Sequence, residues 1–153
     1  MEYNGQIPRV RPPLYGQLVA ADVIGRHENV QVKPLDLGLG DLSAYAVYES
    51  GVLSRYVVIN LNEWNSTTSY TRPTRKVSLG VPRDVRSGEI IRLSGPGAGS
   101  DTGTTWGGYS WNYTTDGRLG QFGKQQTWLV HPRSGYVNLD IPSTEAIVVQ
   151  LRR

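Results

Sequence analysis

From residue 30 onward, apolar and polar positions mostly alternate with a period of two, the mark of strands that turn one face to a core. Residues 43–49 (SAYAVYE) and 53–61 (LSRYVVINL) form the strongest pair, and the Ser50-Gly51-Val52 link between them predicts a hairpin. In the second arm Leu53, Val57, Ile59 and Leu61 fall mostly on one side and Tyr56, Val58 and Asn60 on the other. A strand apolar on both sides belongs inside a sheet that is covered on at least one face. Further strands are expected at residues 30–33, 75–81, 89–94, 104–111, 126–130, 135–140 and 145–151, divided by turn clusters such as Ser94-Gly95-Pro96-Gly97 and Thr115-Asp116-Gly117. Ahead of them the period changes. Pro12-Pro13, followed by Leu14, Tyr15, Leu18, Val19, Asp22 and Val23 and closed by Gly25, predicts one helix. It is too short to persist alone in water and must pack on something. The expected fold class is all-β: a two-sheet antiparallel β-sandwich with one short N-terminal helix. Residues 95–103 are expected to be its most mobile loop.

The chain's 153 residues suffice for one domain, and 18 Gly and 9 Pro exclude a helical bundle. There is no run of eighteen apolar residues, and the first twenty lack the apolar centre of a signal peptide, so the chain reads as soluble, with no membrane partner and no export tag. With no cysteine, disulfides and thiolate chemistry are out. His27 and His131, the only imidazoles, have no ligand partner at helical or strand spacing, so neither a metal nor another cofactor is expected. The net charge is +3 at a pI near 9.3. Apart from Arg9 with Arg11, and Arg72 with Arg75 and Lys76, the cations are dispersed; solvated faces explain them better than a phosphate-tracking surface, and no nucleic-acid partner is expected.

Candidate chemistry is sparse. Glycoside hydrolysis needs two carboxyl groups across a cleft. Here Asp36, Asp41, Asp84, Asp101 and Asp116 sit among turn residues, while Glu63, beside Trp64, has no evident partner. No Gly-x-Ser-x-Gly elbow occurs, and the glycine-rich run from Gly95 to Ser100 lacks the ending of a phosphate loop. On a single strand, Tyr109, Trp111 and Tyr113 would share one face. Such a row of rings either grips pyranose rings or fills the space between two sheets, the second being the commoner use. Asn65-Ser66-Thr67 and Asn112-Tyr113-Thr114 fit the N-glycosylation acceptor pattern at Asn65 and Asn112.

Several segments follow one another as landmarks of a known domain. Ala44-Tyr45-Ala46-Val47-Tyr48-Glu49-Ser50-Gly51 is followed by Arg55-Tyr56-Val57-Val58-Ile59-Asn60-Leu61, Arg72-Pro73-Thr74-Arg75-Lys76-Val77-Ser78-Leu79, Thr104-Thr105-Trp106-Gly107-Gly108 with Asp116-Gly117-Arg118, and the terminal Ile141-Pro142-Ser143-Thr144-Glu145-Ala146-Ile147-Val148-Val149-Gln150-Leu151. In this order they resemble the C-terminal β-domain of family 79 glycoside hydrolases, the β-glucuronidase and heparanase-like enzymes. The resemblance implies that residues 1–27 correspond to the last helix of a (β/α)₈ barrel and its linker, and residues 28–153 to the C-terminal β-sandwich. It further implies an extracellular parent enzyme whose two catalytic glutamates lie on barrel strands with no counterpart here. No catalytic residue is therefore assigned, and the isolated chain is expected to be inactive. Its partner would be that barrel, with glucuronic-acid-containing glycans as the parent's ligands. In the family layout a strand preceding the barrel completes one sheet, so an unpaired edge and self-association are expected of the chain alone. Two other readings are a free-standing carbohydrate-binding module using Tyr109, Trp111 and Tyr113, and an independent hydrolase dependent on Glu63.

Overall fold

The computed structural model describes residues 9–25, 28–68 and 70–153. The expected helix is α1 (Pro12–Ile24), with prolines in its first turn and Gly25 closing it at φ +63°. Eleven strands follow among the described residues: β1 (Val30–Leu35), β2 (Leu42–Glu49), β3 (Val52–Asn60), β4 (Thr74–Gly80), β5 (Ser87–Ser94), β6 (Thr105–Trp106), β7 (Tyr109–Tyr113), β8 (Leu119–Gly123), β9 (Trp128–Val130), β10 (Tyr136–Pro142) and β11 (Ala146–Arg152). All pairings are antiparallel. Nine strands form a large sheet in the order β1-β2-β3-β11-β5-β6-β7-β8, with β9 also paired to β5, and β10 and β4 form a second sheet of two. The fold is thus the expected two-sheet sandwich, with very unequal layers.

The doubly apolar strands lie where their pattern requires. On β3 and β11 alternate residues enter two different cores: Val58, Ile147 and Val149 pack towards Val77, Leu79, Val137, Leu139 and Ile141 of the small sheet, and Val57 and Val148 pack towards Tyr15, Val19 and Val23 of α1. The helix and the small sheet therefore sandwich the centre of the large sheet. Burying three side chains at i, i+4 and i+8 contributes on the order of 1.5–3 kcal/mol each, which answers the helix's inability to stand alone. Arg55 adds a polar tether. Its guanidinium, almost wholly buried, donates to the carbonyls of Asp22 (3.0 Å) and Val23 (2.8 Å) and pairs with Glu49. A cation on the last-turn carbonyls also complements the negative end of the helix dipole. On the other face Tyr56 donates its hydroxyl to Gly80 O at 2.5 Å and ties β3 to β4.

The structure corrects three sequence expectations. The β2–β3 hairpin turns as expected, with both Ser50 and Gly51 at positive φ. Two residues later, however, Val47 faces Arg55 while Tyr48 faces Leu53, leaving Ser54 as a bulge. One extra residue flips the alternation, so Leu53 packs in the small-sheet core rather than beside Val57, and Leu61 lies beyond β3, exposed. The run expected as one strand over residues 104–111 is a hairpin of β6 and β7 broken at Gly107-Gly108, whose φ values of +57° and +83° suit a tight two-residue turn. β8, which the sequence reading did not anticipate, pairs with β7 and ends the large sheet.

Candidate functional site

β7 carries the three aromatic residues singled out for carbohydrate contact, and they do not form an open row. Trp111 is half-buried and meets the Tyr15 ring edge-on, centroids 5.7 Å apart at 67°. Its backbone N–H donates to the Tyr15 hydroxyl at 3.0 Å. Tyr109 is half-buried and tilted 55° from Trp111, and Tyr113 is exposed nearer the end of the strand. Trp111 instead contributes to a hollow of about 440 Å³ between the residues before α1, the 101–104 turn and β7, whose lining includes Arg9, Tyr15, Asp101, Ser110 and Asn112. Asp101 is ion-paired with Arg11.

Among the described residues, Glu63, Asp22, Glu89 and Glu145 stand in no catalytic pair. Glu63 lies exposed. Asp22 and Glu89 share a groove of about 290 Å³ beside the C-terminal half of α1, but the hydrogen bond from Arg152 holds the Glu89 carboxyl below its ordinary range. A carboxylate so held has no proton to give near neutral pH. Glu145 is nearly buried, 3.0 Å from Arg72 and 3.6 Å from Arg92. Burial pushes its carboxyl up against the opposing pull of those two arginines. Among the described residues no group of three His, Cys, Asp or Glu could hold a metal ion. His131 is exposed, its Nδ1 3.3 Å from Arg86 O, and His27 lies outside the described residues.

Two arginines do more than charge and spacing suggested. Arg72, grouped in the sequence reading with solvated cations, donates to Ser143 O (2.8 Å), Gly95 O (3.2 Å) and Thr144 Oγ1 (2.7 Å) and stacks 4.9 Å from the Trp64 ring. Its neighbours Arg75 and Lys76 fit the surface expectation, paired with Asp41 and Asp140. Arg92 stacks 5.3 Å from Trp128, so Glu145 sits between two cation–aromatic contacts. These interactions brace the β10–β11 turn; they leave no open site.

Asn65 is half-buried and structural. Its Oδ1 accepts from Gly99 N at 2.8 Å, and Ser66 N and Ala98 N bond across to Pro96 O and Trp64 O. Residue 97 approaches so closely, at φ +142°, that a Cβ there would lie 2.6 Å from Asn65 Cα. The loop expected to be most mobile is tied to residues 64–66 by these bonds. Asn112 is exposed, its Oδ1 accepting from Tyr113 N at 3.0 Å.

A protein-family model, the glycosyl hydrolase family 79 C-terminal beta domain, matches residues 44–148. A β-glucuronidase from Aspergillus niger is 32% identical over 114 residues, covering 67% of this chain and 21% of that protein. One from Neurospora crassa is 31% identical over 96 residues, covering 50% and 17%. The chain thus spans about a fifth of the length of these curated relatives. In fold it resembles a 4-O-α-L-rhamnosyl-β-D-glucuronidase from Fusarium oxysporum 12S, solved as a complex with Rha-GlcA, with a TM-score of 0.76 at 20% identity over 91% of this chain and 29% of that one. With more than half of its residues inside the family match, the chain belongs to the family of glycosyl hydrolase family 79 C-terminal β-domains.

Proposed function

We propose that the chain is the non-catalytic β-domain of a glucuronidase-like retaining glycoside hydrolase, and that it braces a (β/α)₈ catalytic barrel through the outer side of α1. The observation that carries this is the composition of that side. Tyr15, Val19 and Val23 face the sheet, while of the exposed residues Pro13, Gly16, Gln17, Ala20, Ala21, Asp22 and Ile24 only Asp22 is charged. A helix apolar on opposite sides belongs between two layers, and the described residues supply one. The relatives' β-glucuronidase names and their far greater length support a catalytic domain as the second.

The test has two parts. The purified chain should release no aglycone from an aryl β-glucuronide. Grafted in place of the matching C-terminal segment of the Aspergillus niger relative, it should keep that enzyme soluble and active where plain truncation does not. Turnover by the chain alone, lost on Glu63→Gln, would replace this reading with an independent hydrolase; a chimera no better than the truncated enzyme would remove the bracing role.

A further inference from the structure

The hollow at the start of α1 has the makings of a small-ligand site. Its volume of about 440 Å³ lies in the roughly 300–1,000 Å³ range of such pockets. Three separate segments build it, and the Tyr15–Trp111 pair holds one wall rigid through a ring contact and a hydrogen bond. Ser110 and Asn112 of β7 and Thr102 and Thr104 of the turn add hydrogen-bonding residues to the lining. The lining's charged residues are Arg9 and Asp101, and because Asp101 is ion-paired with Arg11 from outside the lining, Arg9 is the cation left to meet an anion. An apolar ring face beside neutral hydrogen-bonding groups suits a pyranose, and the excess cation suits one that carries a carboxylate.

Position strengthens the chemistry and rests on the function proposed above. In a (β/α)₈ barrel the reacting groups lie at the C-terminal ends of the strands, the end at which each following helix begins. With α1 as the last barrel helix, its N-terminus marks the catalytic side of the domain boundary, and the hollow opens beside that terminus. We propose that this hollow is an accessory saccharide site that holds a carboxylated pyranose unit of an oligosaccharide outside the catalytic centre.

The 153-residue chain is titrated with methyl β-D-glucuronide and with methyl β-D-glucoside, followed by tryptophan fluorescence and ligand-observed NMR. Saturable binding is expected, the glucuronide being about fivefold tighter. Trp111→Ala should weaken it by roughly tenfold or more, at a melting temperature that shows the variant folded. Arg9→Gln, a change at the rim, should erase the preference for the acid without touching the core. Tyr113→Ala, outside the hollow, should leave binding within about twofold. Absence of saturation overturns the proposal. So does binding lost on Tyr113→Ala and kept in Trp111→Ala, which would place the sugar on the open strand face, or an unchanged preference in Arg9→Gln. A chain that binds no sugar yet rescues the truncated relative sinks the hollow alone; one that binds sugar and rescues nothing sinks the bracing role alone.

Discussion

Arg55 shows how much one side chain can settle. It is nearly buried, bonded to two helix carbonyls and paired with Glu49, so it joins α1 to the sheet by charge as well as by packing. Removing a buried charged donor that serves two carbonyls costs about 3 kcal/mol. Arg55→Ala is therefore expected to lower the urea-unfolding free energy by about that amount, and Arg55→Lys by less, since the ammonium keeps a cationic donor, though not the fork; equal losses would show that packing alone holds the helix. Glu89 gives a pH-dependent case. Its carboxyl is held below the ordinary 4.5 by the hydrogen bond from Arg152, so the folded state binds its proton less readily than the unfolded chain. The resulting stability is complete above pH 4.5 and is lost as pH falls through the lower folded value. The pair is partly exposed, so the gap between the chain and Glu89→Gln should be below about 1 kcal/mol near neutrality and close in acid. A gap that widened in acid would reverse the assignment. Glu145, pushed up by burial, has the opposite sign: its cost is absent in acid and sets in as pH rises through the ordinary value towards the folded one. None of these residues could be singled out beforehand, because a sequence displays an arginine's charge and not its burial, which for Arg55 and Arg72 depends on partners dozens of positions away.

Among the elements, those written in local pattern were legible. α1 announces itself by its opening prolines and closing glycine, the β2–β3 hairpin by Ser50-Gly51, and β11 by an unbroken apolar run. The region from β6 to β8 was legible only in part, and the reason is physical. Thr105 to Trp111 has the β-branched and aromatic residues of a continuous strand, and the two glycines that break it do so by positive φ, a backbone property that alternation does not register. β8 contains two glycines in five residues and has little strand preference of its own; its partner β7 imposes the conformation. A test of the turn is Gly108→Ala. A Cβ there would lie 2.3 Å from Lys124 O and 2.7 Å from Gln126 Cγ, at a φ that L residues resist. Strain and clash together should cost about 2–3 kcal/mol. Hydrogen exchange should show protection lost across β6, β7 and β8 first, with β3 and β11 intact; uniform loss would mean that the hairpin is not a separable unit.

At the scale of the molecule, the two layers and the helix were foreseeable, while their inequality was not, because β11 lies between β3 and β5 through pairings that no local pattern encodes. That inequality decides how the isolated chain should behave. Among the described residues, β4 and β10 pair only with each other, the large sheet ends at β1 and β8, and β9, paired only with β5, leaves one further short edge of three residues. Open edges invite association unless charge or proline guards them. β1 carries Lys33 and Pro34, β4 carries Arg75 and Lys76, and β10 carries Asp140 and Pro142. β8, Leu119-Gly120-Gln121-Phe122-Gly123, has neither, and its Leu119 and Phe122 are about half exposed. Two copies meeting antiparallel along β8 would set Arg118 of each against Lys124 of the other, a repulsion that salt screens within about 8–10 Å. Association is therefore expected to be weak at low ionic strength and to strengthen as salt is added, the reverse of an interface held by ion pairs. Sedimentation velocity over a concentration series should show a reversible dimer that disappears in Leu119→Lys/Phe122→Lys and persists when Val32 on β1, also about half exposed, is changed to lysine. A dimer indifferent to β8 would move the contact to another edge, and one that salt dissolves would replace strand pairing with charge.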